Sequence, residues 1–102
     1  MSDNVETVDI DASVSCSISA VITPECPITD ETDVYEVTVR WDTDGQTLEK
    51  WSLIEWLHTF GGREVTQEQL AAQVKDGLRG DGITGLNIEV IDIKDTGLEV
   101  VA

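Results

Sequence analysis

The chain has 102 residues, a length that fits one domain and allows only a thin hydrophobic core. Its 21 acidic residues against 6 basic ones give a formal net charge of −15, yet 40% of the residues are hydrophobic and fall into periodic runs, which excludes a disordered acidic tail. Acidic residues spread over a whole chain are typical of a halophilic cytoplasm, where concentrated salt reduces the Debye length to about 3 Å or less and screens their repulsion.

The sequence also argues against membrane, secreted and zinc-binding proteins. It has no apolar run of membrane length, no secretion signal and no lipidation motif, so we expect a cytoplasmic protein. Its two cysteines, Cys16 and Cys26, form no Cys-x-x-Cys pair, and His58 is the only histidine. This pattern does not predict a structural zinc site, and a reducing cytoplasm does not favour a disulfide.

The first half of the chain predicts two strands. Residues 1–12 are polar and acidic, which predicts a flexible N-terminal arm before a single domain over 13–102; an edge pairing through the arm's Val and Ile residues is the alternative. The stretch VSCSISAVIT alternates apolar and polar residues and places Cys16 on the apolar face, where a small core residue is the expected role. DVYEVTVRW alternates in the same way and predicts the second strand, and DTDG predicts a turn after it.

The second half predicts two helices and two more strands. The hydrophobic period becomes helical from Thr47 in TLEKWSLIEWLHTF, which ends at Gly61-Gly62, and a second helix begins at the capping box Thr66-Gln67-Glu68-Gln69. LNIEVIDI and LEVVA predict the last two strands. The ββααββ order predicts an α+β fold, with a four-stranded antiparallel sheet and both helices on one face. Unpaired edge strands and a first helix that is apolar on more than one side predict an oligomer.

A cysteine in the loop between the first two strands is the main candidate for chemistry. In TPECPITDETD, Cys26 precedes Pro27 and is either a small filler residue or a nucleophile. Its acidic neighbours raise rather than lower the pKa of a thiol, so a nucleophile here needs a nearby proton acceptor. Asp33, seven residues later at the start of the next strand, is the candidate acceptor.

Two glutamates stand at the starts of the two predicted helices. Glu49 opens the first helix, and Glu68 lies in the first turn of the second. The helix dipole stabilises a carboxylate at either position whatever the protein does, so neither residue indicates a site by itself.

Together these residues resemble the motifs of the QueF family, whose members act on 7-cyano-7-deazaguanine. The residues that match, at the family's spacing, are Cys26-Pro27-x-Thr29, Asp33, Glu49 and Glu68. The resemblance implies that Cys26 is the nucleophile and Asp33 the acid/base, and that Glu49, Gln67 and Glu68 bind the deazaguanine. It also implies the tunnelling fold, a ββααββ subunit that assembles into closed rings with active sites between subunits, here two stacked pentamers.

Positions at which this sequence differs from the reductases of the QueF family indicate which branch of the family it resembles. Their first helix carries the signature Glu-Ser-Lys-Ser-x-Lys, associated with NADPH phosphates, whereas Trp51 and Glu55 replace both lysines here. Gln67 stands where the reductases have a histidine, and Gly62-Arg63-Glu64 looks most like the short archaeal QueF-like branch. The resemblance therefore implies an amidinotransferase that converts 7-cyano-7-deazaguanine in tRNA to archaeosine. The reaction would use a thioimide at Cys26, with ammonia as nitrogen donor and no metal or redox cofactor.

Two alternatives stay open at this stage. One is an NADPH-dependent nitrile reductase, and the other is a non-catalytic deazaguanine-binding protein, which Gln67 favours. The net charge bears on the substrate as well, because an acidic chain with six basic residues repels tRNA. Either the oligomer gathers a basic patch, or the substrate is the free base.

Overall fold

The computed structural model describes residues 5–80 and 83–102, and within them the chain forms four strands and two helices. The elements are β1 Thr7–Ile22, β2 Tyr35–Leu48, α1 Lys50–His58, α2 Gln67–Leu78, β3 Ile83–Asp92 and β4 Glu99–Val101. The strands pair in the order β1-β2-β3-β4, each antiparallel to the next. The predicted ββααββ order and the antiparallel four-stranded sheet are therefore confirmed.

The first strand starts earlier than the sequence pattern predicts. β1 begins at Thr7, inside the segment predicted as an arm, and residues 7–9 pair with the end of β2. From Thr7 onward the chain therefore has the edge pairing that was the alternative to a flexible arm. Residues 1–4 of that predicted arm lie outside the described residues.

The turn predicted at DTDG is wrong, because β2 continues through these residues as far as Leu48. Gly45 has a φ of 80° and lies opposite an irregularity in β1 between Asp9 and Ser13. A glycine in the left-handed region beside a bulge lets a strand bend without ending. The turn-forming residues of DTDG therefore mark a bend within β2 and not the end of the strand.

The core lies between the sheet and the helices. On β2, Tyr35, Val37 and Val39 are buried in the core cluster, while Arg40 points to the exposed face. The alternation follows from the strand itself, since successive side chains point to opposite faces. Full burial of one aliphatic side chain contributes about 1.5–3 kcal/mol to folding. The fully buried aliphatic side chains include Ile22, Val37, Val39, Leu53, Leu57, Leu70, Val74, Leu78, Ile88 and Val90.

α1 is shorter than predicted because local chemistry sets both of its ends. It begins at Lys50 rather than Thr47, since Glu49 caps the first turn and Thr47 still pairs in β2. It ends at His58, and the following turn contains Gly62, whose φ of 75° suits a residue without a Cβ. The apolar surplus predicted for this helix is present at Trp51, whose surface is 69% exposed.

α2 begins at the predicted capping box. The Thr66 hydroxyl accepts a hydrogen bond from the Gln69 N–H, and the Gln69 side chain accepts one from the Thr66 N–H. Near its end Gly77 permits a close approach, since a Cβ there would lie 2.5 Å from the ring of Trp56 on α1. Neither helix in the described part of the chain is long and apolar enough to cross a membrane.

Candidate active site

The loop that carries Cys26 is folded against the connection between the two helices. The Glu25 N–H donates to the Arg63 carbonyl at 2.8 Å, and the Val65 N–H donates to the Glu25 carbonyl at 3.2 Å. Inside the loop, the Cys26 N–H donates to the Glu31 carbonyl at 2.8 Å. Backbone hydrogen bonds therefore fix Glu25, the residue before the cysteine, against Arg63 and Val65. Val65 directly precedes Thr66, the N-cap of α2.

The Cys26 thiol is half-buried, and the turn that follows it stabilises the thiolate. The hydroxyl of Thr29, then the N–H groups of Ile28 and Thr29, hydrogen-bond to the sulfur and lower the pKa of Cys26. Burial and the charge of Asp33 raise this pKa by less. Asp33 thus raises this pKa, as the sequence predicts for an acidic neighbour, but hydrogen bonding by the turn lowers it by more. The net effect favours the thiolate form.

Asp33 is held next to this turn by its own backbone and by Tyr35. Its N–H donates to the Pro24 carbonyl at 2.9 Å, and its Oδ2 accepts a hydrogen bond from the Tyr35 hydroxyl at 3.0 Å. Its charge acts on both the Cys26 thiol and the Tyr35 phenol, whose pKa is raised first by burial and then by the bond to Asp33. The predicted nucleophile and acid/base are thus neighbours in one chain.

The start of α2 lies at the same end of the molecule, and Gln67 there uses its side-chain NH₂ group for backbone contacts. It is buried, and its Nε2 donates to the carbonyls of Val90 at 2.9 Å and Leu98 at 2.6 Å. Both amide hydrogens therefore tie α2 to β3 and to the residue before β4. Glu68, the next residue, is exposed in the first turn of α2.

Glu49 lies at the opposite end of the sheet. Its Oε2 accepts the Trp51 N–H at 2.6 Å and its Oε1 accepts the Ser52 N–H at 2.9 Å, and these bonds lower the pKa of Glu49. The 14 residues of β2 separate it from Tyr35 by about 45 Å at ~3.3 Å per residue, which is close to the 46 Å length of the molecule. One chain therefore does not bring Glu49 to Cys26.

The N-terminus of α1 does not fit the phosphates of NADPH. A helix N-terminus binds anions through its free N–H groups, but here the Glu49 carboxylate already accepts those of Trp51 and Ser52. The Lys50 ammonium lies 5.5 Å from the Trp51 ring centroid, and Glu55 is exposed on the same helix. Two carboxylates and one lysine repel a phosphate rather than bind it.

A cleft of about 430 Å³ lies at the Glu49 end. Its lining is mostly apolar and includes Cys16, Ile18, Trp41 and Leu48. Cys16 is half-buried there and packs against the core cluster, so its predicted place on the apolar face is confirmed. Among the described residues, no three His, Cys, Asp or Glu side chains converge to hold a metal ion.

Sequence reasoning missed three residues beside the Cys26 loop. The period-two pattern of DVYEVTVRW predicts a strand but does not show where the hydroxyl of Tyr35 points. Lys94 donates from its Nζ to the Thr32 carbonyl at 2.7 Å and so ties the loop to the turn after β3. Asp92 holds that turn by accepting the N–H groups of residues 94–96, which lowers the pKa of Asp92.

The chain has the ββααββ architecture of the tunnelling fold, and the loop of its first hairpin carries Cys26 and Asp33. No protein-family model matches the sequence, and no curated protein is significantly similar to it. Among solved structures, the archaeosine synthase QueF-Like in its apo form matches with a TM-score of 0.78. The match covers 86% of this chain and 90% of that one at 22% sequence identity. It confirms the predicted resemblance at the level of the fold.

Proposed function

We propose that the chain is an amidinotransferase of archaeosine biosynthesis, which converts 7-cyano-7-deazaguanine in tRNA to archaeosine. The observation that carries the proposal is the Cys26 thiol, whose pKa is lowered by the turn around it and is also influenced by the charge of the carboxylate of Asp33. The archaeosine synthase with the same fold supports this choice among nitrile chemistries.

The proposed reaction begins with addition of the Cys26 thiol across the nitrile. Asp33 takes the thiol proton as the sulfur attacks the nitrile carbon, and the same proton is delivered to the nitrile nitrogen, giving a thioimide. Ammonia then adds to the thioimide carbon. The carbon–sulfur bond breaks, Cys26 recovers its proton and the amidine leaves.

Recognition of the base is assigned to glutamates. Glu68, exposed at the start of α2, would accept hydrogen bonds from the ring and exocyclic N–H groups of the deazaguanine. A site built to accept such bonds rejects bases that lack the donors, since its own carboxylate is then left unpaired. Gln67 supports α2 from behind, through its bonds to Val90 and Leu98, and does not contact the base in this proposal.

A contribution from Glu49 requires a second copy of the chain. Because Glu49 and Cys26 lie at opposite ends of the sheet, the two meet only if one subunit presents its Cys26 loop to the α1 end of another. A closed ring, with two stacked pentamers as the inferred form, provides that contact at every subunit boundary. The ring would also have to gather the six basic residues into a surface that binds tRNA.

The test is intact-protein mass spectrometry after incubation with 7-cyano-7-deazaguanine in concentrated KCl. We expect an adduct of the nitrile's mass on the wild type and on Cys16→Ala, the matched control for a half-buried thiol, and none on Cys26→Ala. Adding ammonia should discharge the adduct and release a product heavier than the nitrile by one ammonia. No adduct with either the free base or the modified tRNA would contradict the proposal.

The same samples distinguish the rival functions. Oxidation of NADPH with reduction of the nitrile to an amine would indicate the reductase. Binding of the base without any adduct, on a folded wild-type protein, would indicate the non-catalytic protein. The first rival is disfavoured by the Glu49 cap on α1, and the second by the hydrogen bonds that stabilise the Cys26 thiolate.

A further inference from the structure

Tyr35 holds the proposed acid/base from inside the protein. Its hydroxyl donates to Oδ2 of Asp33 at 3.0 Å, while only 5% of the tyrosine surface is exposed. As the first residue of β2 it pairs with Ile22 on one side and Asp92 on the other. Because its backbone pairs with both neighbouring strands, Tyr35 has a fixed position, whereas Asp33 itself lies in a loop.

Packing alone does not account for a tyrosine at this position. The ring fills the core next to Val37, and a phenylalanine would fill nearly the same space. What the hydroxyl adds is one hydrogen bond, to the carboxylate of Asp33, whose charge also acts on the Cys26 thiol. Burial, the hydrogen bond to Asp33 and then the charges of Asp33, Asp92 and Cys26 raise the pKa of the phenol, so Tyr35 is a protonated donor near neutral pH.

We propose that Tyr35 is a positioning residue that binds one oxygen of Asp33 and so leaves the other to serve the Cys26 thiol. The inference rests on the proposed function and names a residue of the same site. A carboxylate has two oxygens, and a bond to Oδ2 fixes both its rotation and the direction of Oδ1. Oδ1 then takes the thiol proton and returns it to the nitrile nitrogen. Tyr35 keeps its own proton throughout.

The consequence is kinetic, because a misplaced acid/base slows the chemical step more than it weakens binding. A displacement of about 1 Å costs up to about a hundredfold in rate. We therefore expect Tyr35→Phe to form the nitrile adduct about tenfold to a hundredfold more slowly. The nitrile concentration that gives half-maximal rate should change by less than about twofold, since Tyr35 does not contact the base.

A double-mutant cycle separates positioning from structural support. Adduct formation is timed for the wild type, Tyr35→Phe, Asp33→Asn and the double variant, with thermal unfolding of each. If Tyr35 acts through Asp33, adding Tyr35→Phe to Asp33→Asn changes the rate by less than about twofold. An unaltered rate in the single variant, or an equal loss in both backgrounds, would overturn the inference.

Thr38→Val is the matched control. Thr38 is also buried on β2 and its hydroxyl also makes one side-chain hydrogen bond, to Ser19 at 2.8 Å, but on the other face of the sheet. This variant should form the adduct at the wild-type rate. A loss as large as that of Tyr35→Phe would mean that any lost hydroxyl on β2 has the same effect, which would also overturn the inference.

A second readout needs neither the nitrile nor a folded phenylalanine variant. Tyr35 is the only tyrosine, so growth on 3-fluorotyrosine labels this site alone. The fluorine resonance should move on Asp33→Asn and stay in place on Asp30→Asn, a change of an exposed acid in the same loop. An unmoved resonance on Asp33→Asn overturns the inference. Absence of a nitrile adduct on the wild type with a moved resonance would overturn the proposed function instead.

Discussion

The pKa of the Cys26 thiol depends on the turn of residues 26–29 more than on the charge of Asp33. The net charge is −15, yet the charge of Asp33 raises the pKa of this thiol by less than the Thr29 hydroxyl lowers it. Charges on the surface are screened by water and salt, whereas a hydrogen bond to the sulfur is not. A Cys-Pro-x-Thr turn therefore favours a thiolate even in a strongly acidic protein.

The contribution of the turn is measurable at Thr29. Its hydroxyl lowers the pKa of Cys26, so Thr29→Val should raise that pKa and move the pH midpoint of alkylation upward. Because one pKa unit is tenfold in thiolate, alkylation at pH 7 should slow by about threefold to tenfold. The measurement is the rate of iodoacetamide labelling against pH in a Cys16→Ala background, which leaves one thiol.

Thr32→Val is the control for this prediction. Thr32 lies in the same exposed loop and contacts Lys94 through its backbone carbonyl, so its side chain can change without loss of that contact. Its alkylation profile should overlay that of the parent. A midpoint that moves downward in Thr29→Val, or equally in both variants, would show that the threonine hydroxyl does not stabilise the thiolate.

At the scale of elements, the fold could be predicted because its strands and helices are long and strongly periodic. The sequence pattern is least informative where a contact with a residue distant in sequence determines the local structure. DTDG bends rather than ends β2, because β1 bulges opposite Gly45. The side chain of Gln67 bonds to the carbonyls of Val90 and Leu98, which lie 23 and 31 residues away, so no local pattern predicts these contacts. The pairing of Cys26 with Asp33 follows from the need of a thiol for a proton acceptor, whereas the inclusion of Glu68 depends on the family resemblance and not on any periodicity.

The contact between the helices gives a prediction at this scale. Replacing a helix glycine by alanine normally stabilises by up to about 1 kcal/mol. At Gly77 the new Cβ would meet the ring of Trp56 at 2.5 Å, and overpacking of this kind costs about 1–3 kcal/mol. We expect Gly77→Ala to lower the free energy of unfolding by about 1 kcal/mol in urea titrations, since the buried Trp56 ring has little room to move.

Replacing the Trp56 ring by a smaller side chain tests whether its clash with the new Cβ causes the loss of stability. In a Trp56→Leu background, Gly77→Ala should no longer destabilise, because the atoms it meets belong to the indole. Gln73→Ala, an exposed change in the same helix, should shift the free energy by no more than about 0.5 kcal/mol. If Gly77→Ala raised the free energy of unfolding in the chain that retains Trp56, this result would contradict the close approach of the two helices.

For the whole molecule, the notable feature is that each end of the sheet exposes a large apolar side chain. The Cys26 end exposes Ile28 (83% exposed), and the Glu49 end exposes Trp51 (69%) beside an apolar cleft. Large exposed apolar side chains at both ends are expected if the ends meet in an assembly. Such head-to-tail contacts close into a ring when the rotation between subunits divides a full turn. The site of the proposed function then takes Cys26 from one subunit and Glu49 from the next.

That arrangement predicts complementation between inactive chains. Cys26→Ala lacks the nucleophile and Glu49→Gln lacks the carboxylate, so each alone should form little or no thioimide. Coexpressed, they should regain about a quarter of the wild-type adduct, because random mixing pairs an intact Cys26 with an intact Glu49 at about one boundary in four. Coexpression of Cys26→Ala with the chain carrying both changes should regain none, since no intact Cys26 is present. Full activity of Glu49→Gln alone would limit Glu49 to its role as the cap of α1, and the site would then belong to a single chain.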